Sequence, residues 1–230
     1  MPSLSLTQEY ALCAISRDED APFGGGNPYF QACLVAGALT ELGEAGYVVR
    51  DDKDRLAPGR PWDGRLPYLA ALHTLIAEAE KPLSTERLAD RLIEHDSVFR
   101  DLFGDVADSL VAAGVATAVT KPGLLRDKIR YEPDPAAVTA VIEKVRAELL
   151  EEGTPADETV SLVTLLDKSS LIGDYFSKVE HGVLKERLKQ IRASRQYAST
   201  TRVIDNLEDL VAALVIAVFG GGLIATGILG

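Results

Sequence analysis

Apolar residues recur three and four positions apart along most of the chain, as in Leu66, Leu69, Leu72 and Ile76, or Val138, Val141, Ile142, Val145 and Leu149. That spacing gathers them on one stripe of a helix. It predicts helices over 5–15, 29–45, 66–80, 84–95, 97–113, 135–151, 157–167, 169–180, 181–195 and 203–219. The punctuation agrees, with Gly46 and Gly114 placed at helix ends, Pro82 ahead of a Ser84-Thr85 start, and Pro133 and Pro135 flanking the entry to another helix. Period-two segments are few. The best strands are 47–50, 55–57, 115–119 and 125–131, which make two small hairpins rather than a sheet. Residues 58–67 are irregular and hold Trp62, but are too short to separate domains. The expected fold is mainly α, a single-domain helical bundle with small β-hairpins over residues 1–219, followed by a Gly-rich apolar tail at 220–230.

Composition sharpens this picture. With 230 residues, 47% of them hydrophobic and only 6% aromatic, the chain is long enough to bury a core built on aliphatic side chains. Cys13 and Cys33 sit on apolar helix stripes, where packing is the expected role and a reducing cytosol the expected setting. Residues 1–5 carry no export signal. Residues 210–230 lack charge over a length that would span a bilayer, yet Gly220, Gly221 and Gly222 interrupt the run, so a buried helix plus a greasy tail is expected.

Candidate chemistry is sparse. His73, His95 and His181 are scattered without ligand spacing, so no metal is expected. Gly24, Gly25 and Gly26 lack the context of a nucleotide loop, and no nucleophile signature appears, so neither a cofactor nor catalytic residues are expected. The order of 84–95, 97–113 and 115–131 matches a winged helix-turn-helix. Its recognition helix, however, offers Arg100 against Asp96, Asp101, Asp105 and Asp108, and the whole chain carries a net charge of −11, so nucleic acid is not expected as a partner.

Two segments run against that acidity. Residues 185–202 hold Lys185, Arg187, Lys189, Arg192, Arg195 and Arg202 against Glu186 alone, which suits a helix face neutralised by acids on its neighbours. The second segment is the hairpin turning at Pro122-Gly123. There Leu124 and Leu125 stand among Lys121, Arg126, Lys128 and Arg130, with Asp127 the single acid. Soluble turns favour small polar residues. Leucines ringed by cations suit an anionic bilayer, the apolar groups dipping below the headgroups while the cations stay with the phosphates. The competing expectation is that these leucines fold onto the core or form a homo-oligomer contact in a protein-interaction module that never meets lipid.

The ordered segments Leu6-Thr7-Gln8-Glu9, Leu39-Thr40-Glu41-Leu42-Gly43-Glu44-Ala45-Gly46-Tyr47-Val48 and Leu110-Val111-Ala112-Ala113-Gly114-Val115 resemble the Golgi phosphoprotein 3 family, as do residues 162–167 and 209–213. The chain looks like a bacterial member of these peripheral membrane proteins, which read phosphatidylinositol 4-phosphate in eukaryotes. The resemblance implies a helical bundle ringed by amphipathic helices, with a hydrophobic hairpin that inserts into membrane and mediates self-association. It also implies a headgroup pocket built from a tryptophan, an arginine soon after it, and two arginines three residues apart. Ungapped counting puts Gly26 at the tryptophan beside a retained Asn27, Val35 at the first arginine, and Arg100 and Phe103 at the pair. Only Arg100 matches, and a shifted gap lets Tyr29 or Phe30 supply the ring. The expected lipid-headgroup residues are therefore Asn27, Tyr29 and Arg100 in a depleted pocket, and the expected membrane contact is Lys121, Leu124, Leu125, Arg126 and Lys128. Together these describe a non-enzymatic adaptor, peripheral at the inner face of the membrane, that joins anionic lipid to an unidentified protein client.

Overall fold

In a computed structural model describing residues 3–17, 28–122, 128–151, 155–194 and 198–216, the centre is α1 (Leu6–Arg17). Leu6, Tyr10, Leu12 and Ile15 point to different sides of this helix and all are buried, as in a helix enclosed by its neighbours. Around it pack α2 (Pro28–Glu44), α5 (Asp96–Ala112), α6 (Pro135–Val145) and α7 (Asp157–Lys168). The segment Leu6 to Glu9 ties this centre together. The Thr7 amide donates to buried Glu41 of α2, Gln8 donates to Ser109 of α5 at 2.9 Å, and both Glu9 carboxylate oxygens meet Lys144 of α6 at 2.6 Å. Glu41 also accepts from the Tyr68 hydroxyl at 2.9 Å. Outside this group lie α3 (Ala70–Ala77), α4 (Thr85–Glu94), α8 (Ile172–Tyr175), α9 (Lys178–Ala193) and α10 (Ala198–Val215), the last crossing α2 and α7.

Both hairpins grow from helix ends by the same device. At the end of α2, Gly46 takes φ +74°, and the amides of Gly46 and Tyr47 bond back to Gly43 and Leu42. At the end of α5, Gly114 takes φ +72°, and the amides of Gly114 and Val115 bond back to Val111 and Leu110. This is the left-handed cap that glycine makes cheaply. The first leads into β1 (Val48–Arg50), antiparallel to β2 (Leu56–Pro58); the second leads into β3 (Ala116–Lys121), antiparallel to β4 (Lys128–Pro133).

After β2 the chain folds back on the α2 cap, the Gly59 and Arg60 amides donating to the carbonyls of Tyr47 and Gly46 at 2.8 Å. This seats Trp62 against His73 of α3, their rings stacked 4.4 Å apart, and against buried Tyr47 at 4.7 Å. The Arg60 guanidinium covers the other side of Tyr47 at 4.1 Å, and the Tyr47 hydroxyl donates to Asp63.

Several expected helices change shape. The 66–80 helix opens as a 3-10 turn (Pro67–Leu69) before α3, with Pro67 at the first position, where its missing amide costs no hydrogen bond. Residues 169–180 do not form one helix: Ser170 reverses the chain at φ +64°, α8 is a single turn, and Ser177 starts α9 with a reciprocal box to Glu180. The 135–151 helix widens into a π-turn (Arg146–Leu150). The C-terminal helix starts at Ala198 instead of 203, and residues 217–230, including the expected tail, lie outside the described residues. Cys13 and Cys33 are both buried in the core, and burial pushes the Cys33 thiol up to about 12.

Candidate membrane-docking hairpin

The β3–β4 ribbon is clamped at its base. At the base, the Asp134 amide donates to Val115 at 2.8 Å, and the Asp134 carboxylate accepts from Ala136 at 2.9 Å, capping α6 where Pro135 is the first residue. Cross-strand pairing sets Ala118 opposite Tyr131, Thr120 opposite Ile129, and Lys121 opposite Lys128. Residues two apart share a face, so Tyr131 and Ile129 point the same way. Tyr131 lies over α5, donating to Asp108 at 2.8 Å with its ring edge-on to Phe103 at 6.0 Å. Ile129, two pairs further out on the same face, is 64% exposed. On this face the ribbon thus passes from Tyr131, packed on α5, to exposed Ile129.

Both signs of charge accompany the ribbon. Asp101, Asp105 and Asp108 follow one another on α5, and partial burial plus the two neighbouring carboxylates raises the Asp105 carboxyl above its usual range. Toward the far end stand Lys121 and Lys128, paired across the strands. Arg130, on their face, has its guanidinium 3.8 Å from Glu132.

The expected residues are distributed as follows. Lys121 closes β3 and Lys128 opens β4, whereas Leu124, Leu125, Arg126 and Asn27 lie outside the described residues. Tyr29 is the second residue of α2 and exposed, and Arg100 is exposed in the second turn of α5. Under the ungapped counting, Val35 is a buried core residue and Phe103 packs under Tyr131, so neither position presents a polar group. Tyr131 and Ile129 are not among the expected residues, and Asp108 is expected only as an acid opposing Arg100; the alternation of Ile129 and Tyr131 along β4 is the signal the sequence offers. In the basic 185–202 segment, Arg192 meets Glu208 at 2.6 Å and Asp205 at 3.5 Å on α10, so its charge is met by a neighbouring helix as expected. Arg195 and the side chain of Arg202 lie outside the described residues.

A mainly helical body with two small antiparallel hairpins, one carried on the end of α5, defines the class of protein at hand. Comparison with protein families matches residues 6–215 to Golgi phosphoprotein 3 (GPP34), and the chain belongs to that family. The family is one of non-enzymatic adaptors. Comparison with curated proteins gives no match. Among the described residues, no helix is long and apolar enough to cross a membrane.

Proposed function

We propose that this chain is a peripheral adaptor that docks on the anionic inner face of a membrane through residues 119–130. The observation that carries the reading is Ile129, exposed on the apolar face of a base-clamped ribbon whose ends are Lys121 and Lys128 and whose next residues are Leu124, Leu125 and Arg126. Inserting each leucine contributes about 1.5–3 kcal/mol. Each cation near an anionic leaflet contributes about 1 kcal/mol. Association costs and repulsion from the acidic remainder reduce the sum to an affinity weaker than about micromolar for one copy. Self-association raises avidity without further contacts.

Headgroup selectivity is weak in this reading, because Val35 and Phe103 stand where the family pocket has arginines and Asn27, Tyr29 and Arg100 are what remains. The test is co-flotation with vesicles of phosphatidylserine, of phosphatidylinositol 4-phosphate at equal charge, and of phosphatidylcholine. Leu124→Asp with Leu125→Asp abolishes flotation on both anionic sets and leaves the melting curve intact. If the double variant still floats, the hairpin is not the contact. If it loses an oligomer by light scattering while the parent never floats, the hairpin is a self-association surface instead.

A further inference from the structure

Helix α9 presents an apolar strip to solvent that no element of the described fold covers. Val179 is 77% exposed and Val183, one turn on, 46% exposed. With Gly182 and Gln190 they face Leu149 and Leu150 across an open groove of about 440 Å³, within the roughly 300–1,000 Å³ span of binding clefts. The groove follows from two local features. The π-turn carries Leu149 and Leu150, which form one wall, and a Cβ added at Gly182 would meet nothing within 4 Å, so the floor is open.

Its walls are fixed by Arg146. That side chain donates to Glu180 and Glu143 at 2.8 Å and to the Tyr175 carbonyl at 2.9 Å, with its guanidinium 5.2 Å from the Phe176 ring centroid. Turn and helix are thereby riveted at one end, and the cleft is preformed.

One rim is basic. Lys178, Lys185 and Lys189 fall at i, i+7 and i+11, a single line along the exposed side of α9, in a chain of net charge −11. Inside the groove the charges are mixed, from Glu151, Glu186 and Arg187, and Glu186 lies 3.6 Å from Lys189.

We infer that this groove holds an acidic-edged amphipathic helix of a partner protein, which sets aliphatic residues four apart against Val179 and Val183 and Asp or Glu side chains against the lysine row. Val179 to Gln190 spans about 16 Å, three turns of such a helix. The concave shape admits side chains where a bilayer surface would leave it empty. A second copy of this chain laid in by two-fold symmetry would bring an identical lysine row with it. The inference supplies the protein-side contact of the adaptor and rests on the adaptor half of the proposed function, not on lipid binding.

The experiment pans a random 16-residue phage-displayed peptide library on the full chain and measures the most enriched peptide by fluorescence anisotropy. The expected peptides carry two aliphatic residues four apart and at least two acids. Val179→Asp with Val183→Asp, and separately Gly182→Leu, weaken binding at least tenfold while the protein stays folded by circular dichroism, the Gly182→Leu variant melting at or slightly above the parent because leucine favours the helix over glycine. Lys178→Glu, Lys185→Glu and Lys189→Glu together weaken it similarly, and changing the peptide's acids to lysine restores it. Flotation on anionic vesicles stays at the parent level in all of these variants, so failure of the lipid reading registers separately. Absence of enrichment, enrichment of basic peptides, or unaltered affinity in the groove variants overturns the inference; loss of flotation in the α9 variants reassigns this face to lipid.

Discussion

Replacing Lys144 by leucine isolates one interaction that holds the frame behind the hairpin, because Lys144 joins α6, the helix leaving β4, to Glu9 at the molecular centre. Leucine keeps apolar bulk beside the helix but removes the ammonium and the outer part of the stem, leaving a buried carboxylate alone. Breaking a fully buried pair from one side costs about 3–5 kcal/mol. The Lys144 side chain is 35% exposed, so water reaches its end and the expected loss falls to about 2–3 kcal/mol at pH 7.5. The pH dependence follows from Glu9, whose carboxyl burial already raises above the usual range against the opposing pull of Lys144. Without Lys144 it rises further. A carboxyl raised in the folded state opposes folding when ionised and ceases to do so once protonated, so the deficit is largest at high pH and shrinks as pH falls through the folded-state value. Glu9→Leu with Lys144→Leu removes both charges and stays within about 1 kcal/mol of the parent. Urea unfolding followed by far-ultraviolet circular dichroism at several pH values reads all three quantities. A Lys144→Leu loss under about 0.5 kcal/mol at pH 7.5, or a deficit that grows on acidification, would refute the reasoning.

Three further outcomes are expected. Tyr131→Phe removes the hydroxyl that bonds Asp108, costs about 0.5–1.5 kcal/mol, and speeds amide exchange along β3 and β4 more than in α7. Gly59→Ala places a Cβ 2.2 Å from the Gly46 carbonyl oxygen, so the loop must shift; a loss above about 2 kcal/mol is expected, with altered near-ultraviolet dichroism from Trp62. The Arg146 guanidinium, with the Ser177 amide and hydroxyl, holds the Glu180 carboxyl down to about 2. Its contribution to stability is complete above the ordinary glutamate range and fades as pH falls toward 2, which carboxyl NMR titration detects and Arg146→Met reverses by returning Glu180 toward its usual value.

The segments that made the family legible are structural joints. Leu6 to Glu9 supplies the contacts to Glu41, Ser109 and Lys144, and the other two signatures are helix ends where a left-handed glycine turns the chain into a hairpin. Such joints depend on local rules of capping and spacing, so helix content and both hairpins could be read from one sequence. The misread parts depend on distant partners. The π-turn begins at Arg146, whose bonds run to Glu180 and Tyr175, more than twenty-five residues away. The division of 169–180 turns on competition between a serine cap and a continuing apolar stripe, which spacing alone does not decide. For the candidate site, alternation located the ribbon, whereas the Tyr131 to Asp108 tether, which sets which residues project beyond the body, crosses 23 positions of sequence.

The seat of Trp62 also decides what light can report. It is the single indole of the chain, stacked on His73 beside the α2 cap rather than on the β3–β4 ribbon. Native emission therefore follows the packing of the 59–65 loop and the charge on His73, whose protonation burial defers to lower pH. A bilayer that meets residues 124 and 125 without reaching that loop leaves the signal unchanged, so a flat emission trace on mixing with vesicles is compatible with full docking. Moving the chromophore, with Trp62→Phe and Leu124→Trp together, turns a blind spectroscopic channel into one that looks directly at the bilayer.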